Sequence, residues 1–148
     1  MADLTLEHAL TIVQAALRYA REKSLKPLAV TVLDERGAFK AFAAEDETSL
    51  RRGEIAHGKA HAVLAIGLGG RELERRARER PHFINAVTHA VGGPFVPVPG
   101  GVLIKGSSGK VIGSVGISGD HAENDEHAAV AGITAANLTA DTGAEGGH

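Results

Sequence analysis

The order of elements readable in this sequence predicts an α+β fold, with a largely antiparallel sheet of about five strands and helices packed on it. Two pairs of short, β-branched segments carry the first half of that reading. Residues 28–33 and 38–43 flank the turn Asp34-Glu35-Arg36-Gly37, and residues 102–105 and 111–118 flank Gly106-Ser107-Ser108-Gly109; each reads as a hairpin. Helical segments lie before, between and after these hairpins and do not alternate with single strands, which excludes a doubly wound parallel sheet. The third observation is compositional. The chain is 43% hydrophobic but has only four Phe and one Tyr, so Ala, Val, Leu and Ile must fill a core of closely packed helix and sheet. At 148 residues the length is that of one domain, expected to span 1–148 with an ordered core from about 4 to 138 and a flexible tail over 139–148.

Taken in order, the first helix opens at Thr5, whose hydroxyl can cap it. Glu7 suits the positive end of the helix, and Leu6, Leu10, Val13 and Leu17 recur at helical spacing. Arg18, Arg21 and Lys23 occupy the last turns and Pro27 ends anything helical. After the first hairpin, residues 51–68 read as a second helix with Ile55, Ala56, Ala60, Val63 and Leu64 on one side. Arg71 to Arg80 is a charge-dense helical stretch, and Pro81 opens a short helix reaching Ala90. Gly92 to Gly101, broken by Pro94, Pro97 and Pro99, is incompatible with a central helix or strand and reads as a blunted edge strand or a rigid wall. The second hairpin follows, then a last helix from about Glu123 to Leu138.

Several function classes are disfavoured. A net charge of −2 and few rings for stacking provide no basis for holding nucleic acid. The lack of cysteine removes thiolate catalysis and Cys-based metal centres, and it suits a reducing compartment. The opening MADLTLEHALTIV is acidic where a secretory leader is basic, and no apolar run reaches the length of roughly 20 residues that crosses a bilayer. A soluble, cytoplasmic protein with no membrane partner is expected.

Three segments could carry chemistry. Val115 to His127 runs from a strand through Gly119 into a helix start carrying Asp120, Glu123, Asp125 and Glu126. Glycine there allows close backbone approach, and four acids exceed what capping requires, which leaves some for a cation, a proton transfer or an ion pair. Gly92 to Gly101 is the second, a donor-poor wall whose glycines leave room for a ligand or a neighbouring subunit, with Pro97 to Gly101 as the part that would line a pocket. The third is His57-Gly58-Lys59-Ala60-His61, where the two imidazoles stand one helical turn apart, a geometry able to hold a metal, although Gly58 occupies the position of a zincin glutamate. No metal site is assigned beyond the possibility at His57 and His61. Lys59, if buried, needs a partner such as Asp125 or Glu126.

The ordered pieces resemble a known family. The Leu-Thr-Leu-Glu helix, the hairpin Ala-Val-Thr-Val-Leu-Asp…Gly, Gly58-Lys59-Ala60, Pro97-Val98-Pro99-Gly100-Gly101-Val102, Val115-Gly116-Ile117-Ser118-Gly119 and Asn124-Asp125-Glu126 occur in the order of the GlcG/HbpS-like family. This family is also called DUF336 or the PduO C-terminal-like domain, and the resemblance runs from about Leu4 to Leu138. It implies a profilin-like α-β-α sandwich, homo-oligomers from dimer to octamer, and haem or corrinoid association in some members. Lys59, Pro99, Gly100, Gly101, Gly116, Ser118, Gly119, Asp125 and Glu126 fall on its recurrent positions. The function so implied is binding of a small molecule, haem or a related tetrapyrrole, in a pocket of His57, Lys59, His61, Pro99, Gly100, Gly101, Ser118 and Gly119. The alternatives are a structural assembly module, or an isomerase- or lyase-type enzyme acting on a small carboxylate or carbonyl metabolite. In the enzyme reading Lys59 would hold the anion, and Asp125 or Glu126 would move a proton.

Overall fold

A computed structural model describes residues 3–144. In chain order it contains α1 (Leu6–Glu22), β1 (Ala29–Asp34), β2 (Phe39–Ala44), α2 (Arg52–Ile66), α3 (Gly70–Glu79), α4 (Pro81–Ala90), β3 (Gly101–Lys105), β4 (Val111–Ser118), α5 (Ala122–Ala135) and β5 (Thr139–Asp141). The strands form one sheet in the order β2-β1-β4-β3-β5 with every pairing antiparallel. The α+β expectation is met: α1 and α5 lie on one face and α2 on the other. Among the described residues no helix is long and apolar enough to cross a membrane.

The two faces differ in chemistry because side chains alternate along each strand. Val30, Val32, Val102, Ile104, Val115 and Ile117 point towards α1 and α5 and join Ile12, Val13, Ala128, Ala129 and Ile133 in the main core. Burying each such Val, Leu or Ile side chain contributes about 1.5–3 kcal/mol, so this face supplies most of the hydrophobic stabilisation. The opposite face carries Thr31, Ser114, Gly116, Ser118 and Gly101, and α2 lies almost directly on it. A methyl group at Gly116 would sit 2.0 Å from the Ala56 carbonyl oxygen and 2.6 Å from the Ala60 nitrogen. One at Gly101 would sit 2.5 Å from the Lys59 carbonyl oxygen. Ser114 Oγ donates to the Ala60 carbonyl at 2.8 Å, so helix backbone and strand side chain meet without an intervening layer.

Thr5 caps α1 as expected, in a reciprocal box with His8. The buried stripe of α1 is different from the leucine spacing, however. Ala9, Ile12, Val13, Ala16 and Ala20 face inward while Leu6 and Leu10 are exposed. Small residues win because α1 crosses α5 closely: a methyl group at Gly132 would lie 2.5 Å from the Ile12 carbonyl oxygen. The proline–glycine segment is no edge strand. It is an irregular loop tied to α2 by the Val96 amide donating to the Gly58 carbonyl at 3.1 Å. The last helix stops at Ala135 and not near Leu138, because Asn137 turns into the left-handed region at φ 62°. The expected flexible tail then begins too early, since Thr139–Asp141 pair with β3 as the fifth strand. The remainder of that tail, 145–148, lies outside the described residues.

Candidate functional site

Two separate places gather the side chains singled out from sequence, on opposite sides of α2. On the sheet-facing side Lys59 is only 4% exposed. Its Nζ donates to Asp125 Oδ2 at 3.2 Å and to the Ile117 carbonyl at 2.9 Å. The expected meeting of Lys59 with one of the two acids is therefore made by Asp125. The other oxygen of Asp125 accepts the Asp120 amide at 3.0 Å. Burial lowers the lysine below its ordinary value against the opposing pull of Asp125, and burial raises Asp125 against the opposing pull of Lys59. The additional carbonyl and amide contacts favour the charged form on each side, as a buried ion pair requires.

The glycines near this pair are filled by protein. Gly100 adopts φ 108°, and a methyl group there would meet Lys59 Nζ and the Ile117 carbonyl oxygen, each at 2.8 Å. Gly119 lies so close to the Pro27 carbonyl that a methyl group would sit 2.2 Å away. Ser118 Oγ accepts from Arg52 Nη1 at 3.1 Å. These positions let chain segments approach one another around Lys59.

Glu126, also buried, accepts Arg71 Nε and Nη2 on Oε1, both at 2.9 Å, while its Oε2 has no partner among the described residues. The same contact holds the Arg71 guanidinium above its ordinary value. Arg71, Glu74, Pro99 and the first turn of α5 line an open cleft of about 480 Å³. Asp120 closes the turn before α5. It accepts the Asn124 side-chain amide at 2.7 Å, the Lys26 amide at 2.8 Å and the His121 amide at 2.7 Å. Those donors, Asn124 first, hold its carboxyl down to about 2 from 3.8. A depressed carboxyl contributes stability that is fully present above the unfolded value and is lost as pH falls through the folded one. Asp120→Asn is accordingly expected to flatten the loss of thermal stability between about pH 4 and pH 2. An acid-stability curve with the parent's shape would show that Asp120 contributes nothing there.

On the other side of α2, His57 and His61 stand one turn apart with ring centroids 6.1 Å from each other. His57 packs against Phe39, with ring centroids 4.6 Å apart and planes inclined at 42°. With Phe42, Gly53 and Glu54 these two rings line a recess of about 420 Å³. Phe39 and Phe42 are 59% and 49% exposed, large values for phenylalanine. Burial, and then the neighbouring His61, lower the His57 imidazole below its ordinary value. His61 Nδ1 donates to the Pro94 carbonyl at 2.9 Å. Among the described residues no three His, Cys, Asp or Glu side chains gather as a metal-binding group.

The expected common pocket thus divides. Lys59, Gly100, Gly101, Ser118 and Gly119 line a buried contact between α2, the sheet and α5; Pro99 lines the cleft beside Arg71; His57 and His61 face the β2 edge. Sequence reading missed Phe39, Phe42 and Arg71. The phenylalanines had a usable signal, as two of only four in the chain, both on one strand. Arg71 had none, being one of many charges on α3.

The fold is shared with solved structures. A crystal structure of a PduOC–haem complex is 25% identical, with 93% of this chain and 97% of that one covered at a TM-score of 0.82. HbpS, 24% identical over 90% of each chain with a TM-score of 0.77, and the DUF336 protein ORFY of Klebsiella pneumoniae, 21% identical over 93% and 92% with a TM-score of 0.79, share the fold. No curated protein matches the sequence. The family described as haem degrading protein HbpS-like matches residues 4–134. Sheet order, helix placement and that match lead to one conclusion: the chain belongs to the HbpS-like family.

Proposed function

We propose that this protein binds haem or a related tetrapyrrole in the cytoplasm as a homo-oligomer, and that the ligand sits on the recess of Phe39, Phe42 and His57. The observation that carries this is the His57 imidazole packed 4.6 Å from the exposed Phe39 ring, in a recess that exposed Phe42 also lines. A porphyrin needs apolar faces for its ring and a nitrogen donor for its iron. The recess provides both, and a haem-bound relative of the same fold supports the choice of ligand. Haem, when bound, supplies the iron; Phe39 and Phe42 would cover the ring and His57 would offer Nε2 or Nδ1 to the metal. Oligomerisation, from dimer to octamer, is part of the reading. Exposed Leu6, Leu10 and Leu50 leave apolar surface beyond that of the recess. The enzyme alternative loses its anion holder, because the Lys59 ammonium is committed to Asp125 and Ile117.

Titrating the purified chain with haemin is expected to produce a shifted Soret band that saturates at one haem per chain. His57→Ala is expected to weaken binding about tenfold or more, which is about 1.4 kcal/mol. Absence of a saturable Soret shift removes haem as the ligand, and equal binding by His57→Ala removes the recess as the site.

A further inference from the structure

We propose that His57 and His61 form a two-imidazole site for a divalent transition-metal ion, with Cu2+ the best fit, independent of any porphyrin. The site goes beyond the haem reading, since it uses both histidines and requires no apolar ring ligand. The two residues lie one turn apart on α2, with centroids 6.1 Å apart and rings inclined at 68°. A ring bonded through nitrogen at about 2.0–2.1 Å has its centre about 3.2 Å from the metal. Both rings can then share one ion at an open N–metal–N angle, or at a tetrahedral one after a small turn of either ring.

The surroundings of His61 are those of a ligand. The Pro94 carbonyl can only accept, so Nδ1 carries the proton and Nε2 keeps its lone pair. Metal-bound histidines are commonly fixed by this kind of outer hydrogen bond, which sets the tautomer and the ring plane. Gly93 packs against the same ring, where a methyl group would lie 2.7 Å from Cε1 and 3.1 Å from Nε2, so the loop also fixes the plane of the His61 ring. His57 is held in place by Phe39, at 4.6 Å. With two imidazoles and no third such side chain gathered beside them among the described residues, the ion would keep open positions. Such an incomplete site binds tightest the ion at the top of the divalent series, copper.

The test uses the full chain freed of haem and metals, titrated with Cu2+ alone, so its outcome does not depend on whether haemin binds. One tight Cu2+ per chain is expected, with electron paramagnetic resonance showing superhyperfine splitting from two imidazole nitrogens. His57→Ala and His61→Gln are each expected to weaken it about tenfold or more, the loss typical of a removed or disturbed ligand. Glutamine at 61 can still donate to the Pro94 carbonyl, so this variant keeps the loop contact. It is also expected to leave haemin binding unchanged, and His82→Ala should match the parent in both assays. A smaller loss in either test variant, or splitting from a single nitrogen, overturns the site.

Discussion

Lys59→Met is expected to destabilise the protein by on the order of 3–5 kcal/mol, the usual cost of leaving one half of a buried ion pair uncompensated. The Asp125 carboxylate would remain almost fully buried with, among the described residues, the Asp120 amide as its one hydrogen-bond donor. Urea unfolding of parent, Lys59→Met, Asp125→Asn and the double variant measures this. The double variant is expected to recover most of the loss, because asparagine still accepts the Asp120 amide and no charge is left alone. Haemin affinity per folded molecule should remain as in the parent. An unchanged urea midpoint for Lys59→Met would sink the structural account of this pair. Retained stability with lost haemin binding would place Lys59 in the ligand site after all.

Gly116→Val is expected to cost about 3 kcal/mol or more, or to prevent folding, the upper range of overpacking penalties. Its first side-chain atom would fall 2.0 Å from the Ala56 carbonyl oxygen. The obstacle is helix backbone on one side and a strand paired on both of its edges on the other, so neither can move aside. Gly106→Ala is the matched control. There the nearest atoms are 3.6 Å away, and a change within about 0.5 kcal/mol is expected. Equal stability of the two variants would show that α2 can lift from the sheet at little cost.

Much of the fold was legible because hairpins and caps are local. Thr5, the turn at Asp34–Gly37, the glycine turn before β4 and Pro81 act on neighbours a few residues away, and each marks an element boundary that the structure has. What failed was non-local. Leu6 and Leu10 have helical spacing, yet the tight crossing at Gly132 selects alanines for the interface. Residues 139–141 lack a strand's side-chain pattern and become β5 only because the outer edge of β3 is open to pair with them.

The sequence by itself determined the α+β class, the family and the residue types at its recurrent positions. It also required a partner for a buried lysine, since an unpaired ammonium inside a core is too costly. Only the tertiary structure decided that the partner is Asp125, that Glu126 pairs with Arg71, and that Lys59 and the two histidines lie on opposite sides of α2. The reason is that spacing along one helix sets a side chain's direction, whereas what it meets depends on strands and helices far along the chain. Lys59 and Asp125 are 66 residues apart, and His61 and Pro94 are 33. Those contacts were made by the sheet order β2-β1-β4-β3-β5 and by glycines that let α2 settle on it.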